Sequence, residues 1–220
     1  MSGTDPPNLS YMDNDEAKDL VRRGYDELSS RYDEAFGGET KYADWLQLLL
    51  TELPDRAQVL DLGCGSGVPV AKVLAEAGHI VTGVDISEVQ VARASERVPA
   101  ATFLQADATT LDLPADSFDA ILSFYALIHI PLDEQEALLQ RIGTWLRPGG
   151  TFVATIGAAA WTGSEQHWLG GDVPMWWSQA DTATTRTWIE NAGLVIDHEE
   201  FVPEGDSGHT LIWAGRPGPR

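Results

Sequence analysis

The sequence predicts an α/β fold whose sheet is mostly parallel. Three observations carry that reading: β-rich and helical runs alternate between residues 58 and 156, three glycines stand where the first strand turns into its helix, and the last third holds two apolar runs separated by a glycine-flanked turn.

Two helices precede the first strand. Residues 1–14 hold Pro, Asn, Ser and Asp without periodicity and are expected to form a flexible leader. From Asp15 onward Val21, Tyr25, Leu28 and Tyr32 recur at three- and four-residue steps, the apolar stripe of an amphipathic helix, until Gly37-Gly38 stops it. Tyr42, Trp45, Leu46, Leu49 and Leu53 repeat the pattern in a second helix that Pro54 ends. Strands are then expected at 58–62, 80–84, 102–105, 118–124 and 151–156, with helices at 68–77, 88–97 and 133–146. Gly78 sits where a helix C-terminal cap belongs, and Ser87 with Gln90 makes a capping box. Arg147-Pro148-Gly149-Gly150 reads as a turn, and residues 157–179 as a loop rich in Trp and Gly. A helix near 182–192 and apolar runs at 194–202 and 209–214, parted by Gly205-Asp206-Ser207-Gly208, complete the pattern. Five parallel strands followed by a helix and an antiparallel pair, without repeat or linker, predict one domain over residues 15–220.

A chain of 220 residues with 43% apolar residues suits one compact core. The first twenty residues lack the basic and apolar regions of a secretory signal, and no stretch is long and apolar enough to span a bilayer, so no membrane partner is expected. Cys64 is the only cysteine, which rules out an intramolecular disulfide and a cysteine metal cage and suits a reduced cytoplasm, the expected location. No metal is expected, because the five histidines are scattered and no pair has helical ligand spacing beside an acid. A formal net charge of -20 repels a phosphate backbone, so no nucleic-acid partner is expected. The same acidity fits either simple solubility or attraction of a cationic substrate.

The motif with the most chemistry is Asp61-Leu62-Gly63-Cys64-Gly65-Ser66-Gly67. Glycine serves such a turn in two ways, by taking positive φ and by letting a ligand approach the backbone without meeting a Cβ. Asp61 at the strand end would repel a pyrophosphate, and suits an amino-acid moiety with an ammonium group better. Asp85 ends the second strand, where a carboxylate chelates the two hydroxyls of an adenosine ribose. Asp107 follows the third strand and can take the exocyclic amine of adenine, while Ala108 lends a backbone N–H. Three acidic strand ends in succession line one edge of the sheet, where open α/β sheets bind ligands.

With Phe118-Asp119-Ala120-Ile121 and Leu146-Arg147-Pro148-Gly149-Gly150, these residues make the chain resemble the class I, Rossmann-like, S-adenosylmethionine-dependent methyltransferases, from about Tyr25 onward. The resemblance implies a seven-stranded sheet in the order 3-2-1-4-5-7-6, strand seven antiparallel, with helices on both faces. It also implies S-adenosylmethionine as cofactor, S-adenosylhomocysteine as product, and a cofactor site made of Tyr25, Tyr32, Asp61, Gly63, Cys64, Gly65, Gly67, Asp85, Ile86, Asp107, Ala108 and Phe124. The N-terminal helices, residues 15–54, would close over that site as a lid. For Tyr25 and Tyr32, plain core packing is the alternative.

Methyl transfer from a sulfonium needs nucleophile and methyl held in line without water, a positioning effect that supplies roughly 7 to 11 kcal/mol. His129 follows the fourth strand and is the candidate general base, with cofactor-side packing as the alternative. Trp161, Trp168, Trp176 and Trp177 fall within one segment with His167 and Met175, an aromatic wall suited to a flat or apolar acceptor. That segment resembles a Trp-Leu-Gly...Met-x-Trp-Ser pattern of small stand-alone methyltransferases, in which Glu204 to His209 matches a Glu-x-x-x-Gly-His tail. The expected substrate residues are Tyr125, His129, Trp161, His167, Trp168, Met175, Trp176 and His209, of which Trp161 to Trp176 lie within a substrate loop at 157–180. A dimer contact or a cover over the sheet would also account for the tryptophans, and a monomer or a homodimer is expected.

Three rival readings compete with this one. A nicotinamide dehydrogenase shares the fold and the ribose acid, but Asp61 before the turn and Arg147-Pro148-Gly149-Gly150 disfavour it. A nucleic-acid amino-methyltransferase carries an Asn- or Asp-Pro-Pro-aromatic motif where Ser123-Phe124-Tyr125-Ala126 stands here. A methyltransferase-like protein that binds the cofactor and transfers nothing would need the same glycines and acids. The function expected is transfer of a methyl group to an O- or N-nucleophile on a small apolar or aromatic molecule.

Overall fold

The computed structural model describes residues 12–36 and 41–218. Helix α1 (Asn14–Phe36) and helix α2 (Lys41–Glu52) come first, followed by β1 (Gln58–Leu62), α3 (Val70–Glu76), β2 (Ile80–Asp85), α4 (Glu88–Arg97) and β3 (Thr102–Gln105). Then follow β4 (Phe118–Ser123), α5 (Leu132–Trp145), β5 (Leu146–Gly157), β6 (Trp161–Glu165), β7 (Met175–Gln179), α6 (Thr182–Asn191), β8 (Val195–Glu204) and β9 (Ser207–Gly215). Most of the expected leader, and Gly37-Gly38, lie outside the described residues.

The main sheet has the order β3-β2-β1-β4-β5-β9-β8. The first five strands are parallel, and β9 runs antiparallel between β5 and β8. With the small β6-β7 hairpin set aside, this is the expected 3-2-1-4-5-7-6 order. Alternation along the strands divides the core between the two faces. Leu60, Ile121, Phe152 and Ile212 face α5 and α6, whereas their neighbours Val59, Ala120, Val153 and Leu211 face α2 and α3.

Helix α1 belongs to neither layer. Its stripe of Ala17, Leu20, Val21 and Leu28 packs on Met175 and Trp176 of the β6-β7 hairpin, and the two elements form a third, smaller core. Lys18 fastens the helix to the sheet, with Nζ 2.8 Å from both Asp107 and Glu134. Burial opposes its charge, but the two carboxylates hold the ammonium above the usual lysine range. No helix among the described residues is long and apolar enough to cross a membrane.

Two expectations need correction. Residues 157–179 are not a plain loop, since β6 and β7 pair antiparallel from Trp161↔Gln179 to Glu165↔Met175. Five-residue strands containing Gly163 and flanked by glycines hide their period, and the pairing is satisfied by the packing of β7 on α1. Arg147-Pro148-Gly149-Gly150 is likewise an irregular entry into β5 rather than a turn: the Gly149 N–H donates to the Arg216 carbonyl and the Arg216 N–H to that of Gly150. Arg147 also donates to both carboxylate oxygens of Asp119 at 2.7 Å, and Asp119 accepts the Gln58 N–H, so two separate motifs lock β1, β4 and β5 together.

Candidate active site

A cavity opens at the carboxyl ends of β1, β2 and β4, beside the point where the chain reverses its direction across the sheet. Its wall includes Tyr25, Tyr32, Gly63, Gly65, Asp85, Ile86, Asp107, Ala108 and Phe124, nine residues expected at the cofactor. The three glycines of the turn all have positive φ but do different work. A Cβ on Gly63 would overlap Ala126 Cβ; one on Gly67 would press within 3.3 Å of Ala94, Val98 and Phe103, where α4 packs on β3; one on Gly65 would meet only Gln90 Nε2, at 3.9 Å. Gly65 is therefore the open side of the turn. Gly67 and Cys64 are not among the lining residues: Gly67 serves helix packing, and the buried Cys64 thiol lies against Gly83, with burial pushing it well above its usual range.

This difference gives a paired prediction. Gly63→Ala combines overlap with a left-handed backbone and is expected to destabilise the protein by about 3 kcal/mol or more. Gly65→Ala costs only the backbone preference, about 1 to 2 kcal/mol, while placing a methyl where the ligand must pass, so affinity falls about tenfold or more. Thermal melts and calorimetry separate the two, and equal losses of stability would refute the assignment of Gly65 as the open face.

The three acids are also unlike one another. Asp85 accepts the Gly65 N–H at 2.8 Å and the Ser87 N–H at 2.9 Å, one on each oxygen, so it holds the turn and lines the cavity together. Burial raises its carboxyl to about 6, against the pull of those two N–H groups. Asp61 is 2% exposed and is not itself among the lining residues, although its neighbours Leu62 and Gly63 are. Its Oδ2 is buried without a hydrogen-bond partner among the described residues, and burial, with the charge of Asp85 behind it, raises the carboxyl to about 7. Asp107 is engaged differently: Oδ2 accepts from Lys18 and Oδ1 from the N–H and hydroxyl of Thr109, which holds it below the usual range although burial opposes its charge.

A second, aromatic pocket adjoins the first, and Tyr25, Tyr32, Tyr125 and His129 line both. Phe36, Tyr42, Ile128, Trp168, Trp177, Glu204 and His209 complete it. His129 is buried, with Nδ1 2.7 Å from the Trp176 carbonyl and Nε2 2.8 Å from the Tyr25 hydroxyl. A carbonyl only accepts, so Nδ1 carries the hydrogen and Nε2 accepts from Tyr25, whose phenol burial holds well above its usual value. Burial pushes the imidazole down to about 4. His129 is thus a neutral relay with both nitrogens engaged, which departs from the free general base expected of it.

The other expected acceptor residues divide between the pocket, the small core and the surface. Trp168, Tyr125 and His209 line the pocket, but Met175 is 0% exposed against Gly24 of α1, and Trp176 contributes its carbonyl while its ring enters the small core. Trp177, next in the strand, is the one that faces the pocket. Trp161 is 49% exposed and packs on Trp177 with ring centroids 5.9 Å apart, and His167 is spent on a turn, its Nδ1 donating to the Gly171 carbonyl. Lys18 and Gln90 line the cavity without having been singled out. Lys18 was findable, because it occupies the helical stripe of Val21, Tyr25 and Tyr32, where a lysine needs a buried partner.

Comparison with known proteins agrees with this geometry. The profile of a family described as "Methyltransferase domain" matches residues 59–150, which hold the glycine turn and the acids. Among curated proteins, 27-O-demethylrifamycin SV methyltransferase of Amycolatopsis mediterranei is 31% identical over 152 residues, which is 59% of this chain and 55% of that protein. The chain spans about half, or less, of the length of the curated relatives it matches. A crystal structure of an S-adenosylmethionine-dependent methyltransferase from Mesorhizobium loti superposes with a TM-score of 0.63 at 27% identity, over 79% of this chain and 98% of that one. The structure of 1,6-didemethyltoxoflavin-N1-methyltransferase from Burkholderia thailandensis superposes with a TM-score of 0.72 at 23% identity, over 97% of this chain and 93% of that one. Strand order, glycine turn, strand-end acids and profile coincide: the chain carries a methyltransferase domain over residues 59–150 and has the Rossmann-like fold of S-adenosylmethionine-dependent methyltransferases.

Proposed function

We propose that the chain binds S-adenosylmethionine in the strand-end cavity and transfers its methyl group to an O- or N-nucleophile of a small, apolar or aromatic molecule held in the adjoining pocket. The observation that carries this reading is the shared wall: Tyr25, Tyr32, Tyr125 and His129 belong to both spaces, so two ligands placed in them would meet there. The residues fit the cofactor. Asp61 Oδ2 is a buried acceptor in need of a donor, as an amino-acid ammonium would provide, and Asp85 presents its carboxylate beside the open face of Gly65.

When bound, the cofactor supplies an electrophilic methyl on a sulfonium. Asp85 would hold the ribose hydroxyls, Ile86 and Ala108 line the part of the cavity that would take the adenine, and Lys18 keeps Asp107 ionised beside them. Helix α1 and the β6-β7 hairpin packed on it act as the cover that excludes water. Tyr25, fixed by His129, keeps a defined hydroxyl position at the junction. The names of the rifamycin and toxoflavin relatives denote small-molecule acceptors, one O- and one N-methylated, which supports the substrate class. The net charge of -20 supports a small molecule over a nucleic acid. Calorimetry with S-adenosylhomocysteine, S-adenosylmethionine and a nicotinamide dinucleotide tests the cofactor, and label transfer from methyl-labelled S-adenosylmethionine to a panel of phenols and heteroaromatic amines tests the reaction. Heat from the dinucleotide alone would overturn the proposal.

A further inference from the structure

We infer that His209, oriented by Glu204, is the base that receives the proton of the acceptor's nucleophile, so that the acceptor is an ionisable hydroxyl or ring N–H compound. This rests on the reading that the aromatic pocket holds the methyl acceptor. His209 Nδ1 lies 3.0 Å from Glu204 Oε2, and a carboxylate oxygen accepts, so Nδ1 carries the hydrogen and Nε2 presents the lone pair. Both side chains line the aromatic pocket. They stand at the facing ends of β8 and β9, joined by a tight turn, and Gly208 passes so close that a Cβ there would collide with the Val202 carbonyl. The dyad is therefore set by the rigid end of a hairpin and not by a loop.

Two features separate His209 from His129. Both nitrogens of His129 are engaged, and protonating it would break its bond from Tyr25. The His209 side chain is 17% exposed and that of Glu204 35%, which leaves the dyad an exit for a proton to solvent. The titratable groups facing His209 across the pocket are Glu204 at the end of β8, Tyr125 and His129 after β4, Tyr25 and Tyr32 on α1 and Tyr42 on α2. Tyr125 packs edge-on against the imidazole, with centroids 5.0 Å apart. In the step, the nucleophile's bond to hydrogen breaks and its proton goes to Nε2. The electron pair left on the nucleophile forms the bond to carbon as the carbon–sulfur bond breaks toward sulfur, leaving a neutral thioether. The imidazolium then loses its proton to water.

The test uses the full chain saturated with S-adenosylhomocysteine and 4-nitrophenol as probe, a phenol that ionises near neutral pH and absorbs visibly as the phenolate. Long-range proton–nitrogen spectra are expected to show His209 with hydrogen on Nδ1, becoming doubly protonated as the bound probe turns to phenolate. His209→Gln should bind S-adenosylhomocysteine within about twofold of the parent but keep the bound probe neutral, and label transfer from S-adenosylmethionine to the probe should fall about a hundredfold or more. Glu204→Gln should shift the pH at which transfer reaches its plateau. Hydrogen on Nε2, an unchanged phenolate signal in His209→Gln, or no binding of 4-nitrophenol to the loaded protein overturns the inference. Failure of the parent chain to bind S-adenosylhomocysteine overturns the cofactor reading instead.

Discussion

Asp85→Ala is expected to weaken S-adenosylhomocysteine binding by about a hundredfold or more. Each hydrogen bond from a ribose hydroxyl to an ionised carboxylate contributes about 1.5 to 3 kcal/mol, so losing two removes about 3 kcal/mol or more of binding energy. The same carboxylate accepts from Gly65 and Ser87, and its removal leaves two backbone donors facing the cavity without it. Asp85→Asn separates the effects, since it fills the space but presents an amide where the turn offers N–H groups. Calorimetry measures the affinity and a thermal melt the integrity of the turn. Retention of affinity within about twofold in the Ala variant would show that the ribose lies elsewhere.

For Asp61→Asn, stability and affinity are expected to move in opposite directions. The buried Asp61 carboxyl is raised to about 7 from 3.8, so the folded chain holds a proton that the unfolded chain has released. Stability of the cofactor-free protein therefore falls as pH rises from about 4 to about 7, the charged form being the one that burial disfavours, and the penalty is complete above that range. Asp85, raised to about 6, adds to the slope over the lower part of the same window. At 1.36 kcal/mol per unit, Asn at position 61 should stabilise the free protein at pH 8 by about 2 to 4 kcal/mol and flatten its pH dependence. It should also weaken cofactor binding, because the ammonium loses its carboxylate. In the parent chain, binding near pH 6.5 should release protons, giving a heat that varies with the ionisation enthalpy of the buffer. A variant less stable than the parent at pH 8, or a parent heat independent of buffer, would refute this account of Asp61.

The strand ends were legible because their chemistry is local. The positive φ of Gly63 and Gly65, the carboxylate of Asp85 and the cap of Ser87 on Gln90 all lie within a few residues of the strand or helix they serve. The acceptor side was not legible in the same way. Met175 and Trp176 were expected in the pocket and Trp177 was left out of it, yet Met175 and Trp176 are buried against α1 and Trp177 lines the pocket. That division exists only once β7 pairs with β6 and seats on α1, an arrangement that no periodicity within 157–179 announces. The setting of His129 was hidden for a related reason. His129 sits at the expected place after β4, but its partners are 104 residues before it and 47 after it, and together they make it neutral and engaged.

By itself the sequence determined the parallel sheet, its closing antiparallel pair, and the glycines and acids at the strand ends, because strand periodicity and turn chemistry act between neighbours along the chain. The tertiary structure alone decided which tryptophan faces the acceptor pocket, which glycine is open, and which histidine keeps a lone pair. Those outcomes depend on the register of a hairpin against a helix, and on burial and hydrogen bonds between residues that meet only when the layers close.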